Sequence, residues 1–119
     1  MKWYRFMADL GSAAGQTNLG LMYVNGKGTP QDYTQAAKWF QLAAAQNNAN
    51  AQSSLGAMYA EGAGVPQDYV LAHMWSNLAA AHGDATAAKH RDLDAQKMTP
   101  NQISQAQQLA RNWKPTPRK

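Results

Sequence analysis

The sequence repeats itself with a period of 36 residues, and a chain with that property stacks similar units along a line instead of wrapping a single centre. Leu19-Gly20-Leu21-Met22-Tyr23 returns as Leu55-Gly56-Ala57-Met58-Tyr59. Gly26 and Gly28 return as Gly62 and Gly64, and Pro30-Gln31-Asp32-Tyr33 as Pro66-Gln67-Asp68-Tyr69. Ala36, Trp39, Leu42, Ala43 and Ala44 return as Ala72, Trp75, Leu78, Ala79 and Ala80. The same interval separates Trp3 from Trp39, and Gly11 from Asn47 and then Gly83. Residues 2–11 therefore read as the second helix of a repeat whose first helix is missing. The expectation is that further repeats, or a leader, lie upstream.

Each unit reads as a pair of helices. The first helices are expected over Ala13–Asn25 and Ala49–Glu61, where Leu, Gly and Tyr at i, i+1 and i+4 share one face of the 3.6-residue period. A glycine inside a helix costs roughly 1 kcal/mol, so Gly20 and Gly56 imply close approach of a bulky neighbour, and Trp39 and Trp75 are the expected ones. The Gly-x-Gly-x-Pro segments at 26–30 and 62–66 end those helices, with glycine in the left-handed cap and proline blocking continuation. The second helices should run from about Asp32 to Gln46 and from about Asp68 to His82. Each aspartate caps the free N–H groups, and Gly11, Asn47 and Gly83 turn the chain at the far ends.

The third unit changes. Asp84 reads as an N-cap, Arg91-Asp92 replaces Leu-Gly, and Ala95 replaces the tyrosine. Met98-Thr99-Pro100 replaces the glycine loop; Thr99 with Gln102 forms a capping box and Pro100 sits at N1, so a last helix should span about Pro100 to Asn112. Its apolar side is Ile103, Ala106, Ala110 and Trp113. Ends of stacked repeats need a polar outer face, which accounts for the change. The expected domain is 1–113: residues 2–11, repeats over 12–47 and 48–83, and capping helices over 84–113. The Pro-Thr-Pro-Arg-Lys end makes 114–119 a disordered basic tail.

The residues quoted above resemble the Sel1-like repeats, relatives of the tetratricopeptide repeat, over about residues 2–97. The Met98-Thr99-Pro100 ending with its helix also looks like a common bacterial terminus of such proteins. The resemblance implies an all-α fold, a right-handed α-α superhelix of antiparallel helix hairpins, acting as an adaptor or scaffold for other proteins. Some relatives carry cysteine pairs bridging each hairpin and bind β-lactam-type ligands. This chain has no cysteine, which sets it apart from that branch and also removes disulfides, thiolate metal sites and a cysteine nucleophile.

Little else points to chemistry. His73 and His82 are nine apart, no HExxH spacing occurs among His73, His82 and His90, and His82 suits the end of a helix, so no metal is expected. Thr86-x-x-Lys89 lacks the serine and the companion motifs of penicillin-recognising enzymes. The paired glycines follow no strand and precede no phosphate-binding lysine. No enzyme and no cofactor is expected. The longest apolar stretches, such as Leu42 to Ala45, are too short to span a bilayer. Met1 to Phe6 lacks the apolar region of a signal peptide, and a soluble protein of either cytoplasm or periplasm fits.

The net charge of +4 is uneven: residues 1–88 hold four basic and five acidic side chains, residues 89–119 seven basic and two acidic. A solvated helix and tail account for this, and nucleic acid or a membrane surface at the basic end is the alternative. By the resemblance, first helices line the concave side. That places Thr17, Leu21 and Val24, then Ser53, Ala57 and Ala60, then Lys89, Leu93 and Gln96 on the expected partner-binding face. These positions differ between copies where the Leu, Gly, Met and Tyr positions do not. A partner protein or peptide is expected there. The alternative of a cell-wall or β-lactam-type ligand goes with the cysteine-bearing relatives. Self-association is expected through the N-terminal end, where Trp3 and Phe6 lose the cover of a preceding helix.

Overall fold

The computed structural model describes residues 2–115, with side chains from Arg5 onward. Among the described residues seven helices follow one another: α1 (Lys2–Asp9), α2 (Ala13–Asn25), α3 (Tyr33–Ala45), α4 (Ala49–Glu61), α5 (Tyr69–Ala80), α6 (Ala85–Ala95) and α7 (Pro100–Asn112). No strand occurs among the described residues. From α1 to α6 each helix packs on the next, α4 also touches α6, and α7 folds back on α5 rather than on α6. The stack measures 45 × 28 × 22 Å, the elongated shape that nearest-neighbour packing gives.

The helix boundaries follow local chemistry. Asp32 and Asp68 accept hydrogen bonds from the Gln35 and Leu71 amides at 3.1 Å, and Asp84 from Ala87 at 2.9 Å. Ser12 and Asn48 cap α2 and α4 in the same way. With Asp84 they form a 36-residue series that varied in identity and so escaped notice in the sequence. The Thr99–Gln102 capping box is present. Gly26 and Gly62 are left-handed, and Asn47 takes φ 74° where its counterparts are glycine.

The Pro-Gln-Asp-Tyr segment closes each hairpin. Gln31 Nε2 donates to the Val24 carbonyl at 2.8 Å and to the Tyr33 hydroxyl at 3.2 Å. Gln67 repeats this on Ala60 at 2.9 Å and Tyr69 at 3.3 Å. The Asp32 and Asp68 amides each donate to the carbonyl of the repeat tyrosine, Tyr23 or Tyr59, at 2.9 Å. The orphan carbonyls of the first helix are thereby satisfied by the start of the second.

A second polar series joins one repeat to the next. Gln16 and Gln52, also 36 apart, are buried and donate to the carbonyls of Ala8 at 3.3 Å and Ala44 at 3.2 Å. Gln46 Nε2 reaches Gln16 Oε1 at 2.9 Å, and at the corresponding place His82 Nε2 lies 2.8 Å from Asn47 Oδ1. The core between them holds Leu19, Leu55, Phe40 and alanines, all fully buried.

The neighbours of the helical glycines are not the tryptophans. A Cβ on Gly20 would sit 2.7 Å from the Phe40 ring, and one on Gly56 would sit 2.7 Å from Ser76 Oγ and 3.2 Å from the Ala72 carbonyl. Phe40 and Ser76 stand one residue after Trp39 and Trp75, a rotation of about 100° round the helix. That rotation carries the tryptophans to the rim of the core, half-buried. The Arg5 guanidinium lies 5.4 Å from the Trp39 ring centre, and Trp75 meets Trp113 edge-on at 6.0 Å. The repeat thus joins α7 to α5 through its tryptophan.

At the N-terminal end Phe6 and Leu10 are each 56% exposed. The Trp3 side chain and residues 116–119, most of the expected disordered tail, lie outside the described residues.

Candidate functional site

First helices α2, α4 and α6 present neighbouring faces, and two depressions lie between them. The one between α2 and α4 has a volume of about 250 Å³; Leu21, Val24 and Ala57 line it, with Tyr33 and Phe40 from α3. The one between α4 and α6, about 150 Å³, is lined by Ala57, Ala60, His90, Leu93, Asp94 and Lys97. Ala57 and Glu61 belong to both, so the two form one groove across α4. A further shallow hollow of about 290 Å³ continues past Leu21 along Asn18, Met22 and Lys27.

Five residues expected on this face, Leu21, Val24, Ala57, Ala60 and Leu93, line the groove. Leu21 is 40%, Tyr33 42% and Leu93 54% exposed, the large apolar side chains offered there. Lys89 and Gln96 are exposed beyond its margin, and Ser53 is half-buried while its neighbour Ser54 takes the lining position. Thr17 is a correction. It is only 6% exposed, because its hydroxyl turns back to donate to the Ala13 carbonyl at 2.8 Å, and it presents no surface to a partner.

His90 and Asp94 are groove residues that the sequence reading missed, while Glu61, expected to flank this face, lines both depressions. His90 and Asp94 stand 36 residues after Ser54 and Met58, but in the divergent third unit their residue types no longer match those of the earlier copies. Asp94 is 6% exposed and its Oδ2 has no hydrogen-bond partner. Burial raises its pKa above the usual aspartate range, partly offset by His90 and Lys97. Burial also lowers the pKa of His73, helped by Arg91 and opposed by Asp92.

Both shifts act on stability. Asp94 prefers its neutral form when folded, so its favourable contribution is present below the unfolded aspartate pKa and is lost as pH rises through the folded value. His73, depressed when folded, contributes above the unfolded histidine pKa and loses that contribution as pH falls through the folded value. Asp94→Asn should therefore raise stability at neutral pH by about 1 kcal/mol, the scale of an unpartnered buried polar group. It should change nothing once Asp94 is protonated in both states. Urea denaturation followed from neutral to acid pH reads this; an asparagine variant less stable at neutral pH would show that the carboxylate is well partnered in solution.

The three histidines do not converge. His73 is buried in α5, His82 is exposed at its end beside Asn47, and His90 faces the groove from α6. Among the described residues no three His, Cys, Asp or Glu side chains come together as a metal site. No helix among them is long and apolar enough to cross a membrane.

Stacked antiparallel hairpins with a shared groove on their first helices define a helical repeat solenoid. The Sel1 repeat model matches residues 1–12, 13–48 and 49–84, and the chain belongs to the Sel1 repeat family. It is similar to the crystal structure of a protective antigen with an SLR fold from uropathogenic Escherichia coli. The identity is 36%, the TM-score 0.91, and the match covers 94% of this chain and 24% of the other. A Sel1 repeat protein from Oxalobacter formigenes is 38% identical with a TM-score of 0.74, over 76% of this chain and 68% of that one. This chain thus spans about a quarter of the length of the first. Comparison with the curated proteins found no match.

Proposed function

We propose that the chain is a protein-interaction module whose groove across α2, α4 and α6 holds a segment of a partner protein. The observation that carries this reading is the continuity of the groove through Ala57. Small side chains at 57 and 60 open the space, and exposed Leu21 and Leu93 flank it. An apolar anchor entering such a space is where binding energy concentrates. Membership of a family of helical repeat scaffolds supports it. Nothing in the groove assembles a nucleophile with a base, so the proposal is binding without catalysis. The module is taken as one domain, 1–113.

Peptides selected from a random phage-displayed library on the immobilised chain test the proposal. Ala57→Arg should abolish their binding, because it fills the groove and brings an unpaired charge into the contact. It should leave stability within about 0.5 kcal/mol, as at most solvent-facing positions. Deleting residues 114–119 should alter only the salt dependence of binding. Binding that survives Ala57→Arg and vanishes with the tail would transfer the function to the basic end.

A further inference from the structure

We infer that the cleft between α4 and α6 accepts an arginine side chain of the partner, with Asp94 and Glu61 receiving its guanidinium and Ala57 and Ala60 lying along its stem. The inference rests on the groove reading above and adds the chemistry of one anchor.

Asp94 is the first reason. It sits in the wall of the cleft, 6% exposed, and its side chain forms no hydrogen bond or ion pair with any described residue. A carboxylate held out of water without a partner costs stability. Such a group is explained when a ligand supplies the missing charge. Lys97, just beyond the end of α6, forms no ion pair with it: its Nζ is drawn over the Tyr69 ring, 5.5 Å from the centre, and it only partly offsets the cost of burial. His90, one turn before Asp94, also has a buried Nδ1 without a partner.

The opposite wall adds negative charge of two kinds. Glu61 is the last residue of α4 and is exposed at the cleft, and the end of a helix carries the negative pole of its dipole. A carboxylate at that place is unfavourable for the isolated helix and favourable for a bound cation. The two acidic groups stand on different helices, Glu61 on α4 and Asp94 on α6. A guanidinium carries five N–H donors in a planar fork and no acceptor, and sheds water more readily than an ammonium. Its methylenes match the alanine floor. Those properties select arginine over lysine.

The probe is N-acetyl-arginine N-methylamide, titrated into the nitrogen-15-labelled chain and followed by amide chemical shifts. Saturable shifts are expected at Ala57, Ala60, Glu61, Leu93 and Asp94. The neutral isostere N-acetyl-citrulline N-methylamide should bind at least about tenfold more weakly, the scale of one charge-assisted contact. Asp94→Asn should weaken the arginine probe about tenfold and erase its advantage over citrulline, and Glu61→Gln should do so in part. A dispersed spectrum for each variant shows that the fold persists. Equal affinity for the two probes, shifts located elsewhere, or an arginine response unchanged in Asp94→Asn would each overturn the inference. The two readings fail separately. Selected peptides blocked by Ala57→Arg, alongside a cleft indifferent to arginine, would leave the groove standing and remove only its arginine anchor.

Discussion

Phe40→Ala is expected to remove about 3–5 kcal/mol of stability, the range for truncating a fully buried aromatic. Phe40 is completely buried and its ring lies against the backbone of Gly20, where no side chain exists to move into the space left behind. The cavity therefore stays open, which is the condition for the upper part of that range. A loss of that size is a large share of the total stability of most domains. Ser76, at the same position of the next repeat, sets the contrast. It is equally buried, but its hydroxyl has no hydrogen-bond partner, so Ser76→Ala should be neutral or slightly stabilising. Trp39→Ala should cost less than Phe40→Ala, because Trp39 is only half-buried. Urea midpoints from circular dichroism rank the three. If Trp39→Ala proves the most damaging, the tryptophan is the wedge between helices, as the sequence alone suggests.

Gly64→Ala should lower stability by roughly 3 kcal/mol and the melting temperature by on the order of 10 °C. Two costs combine. Gly64 has φ 74°, where a Cβ is disfavoured by about 1 kcal/mol. That Cβ would also run into the carbonyl of Tyr33 and approach the Thr34 amide nitrogen to 3.0 Å. Both obstacles are backbone atoms of the preceding repeat and cannot swing aside. Gly83 isolates the first cost: its φ is 91°, yet a Cβ there meets nothing within 4 Å. Gly83→Ala should accordingly lose only about 1 kcal/mol. Equal losses at the two sites in a thermal melt would mean that the loop at Gly64 relaxes away from Tyr33.

The difference between Gly64 and Gly83 shows how far a repeat can be read. Both glycines are legible as chain-turning positions, because left-handed geometry is a property of one residue and its neighbours. Contact with Tyr33, 31 positions earlier, belongs to the stacking of one repeat on another and leaves no local mark. The groove divides in the same manner. Leu21, Val24, Ala57, Ala60 and Leu93 were accessible from the family resemblance and from comparing copies. Thr17 shares that phase but returns its hydroxyl to its own backbone. Asp94 inherits the buried place of Met58, 36 residues earlier, but that it holds a carboxylate there without a partner is no part of the repeat.

What the sequence by itself determined is everything written in short-range chemistry. The 36-residue period is read by comparing copies, and the helix limits, the aspartate caps, the capping box at Thr99 and the left-handed Asn47 depend on residues within one turn of each other. Tertiary structure alone decided which side chain meets each helical glycine, how Gln16 and Gln52 join successive hairpins, that α7 returns to α5 through Trp113 and Trp75, and that Asp94 is sealed without a partner. The reason is angular. One residue turns a helix by about 100°, so the step from Trp39 to Phe40 is small in sequence and decides which of them fills the core.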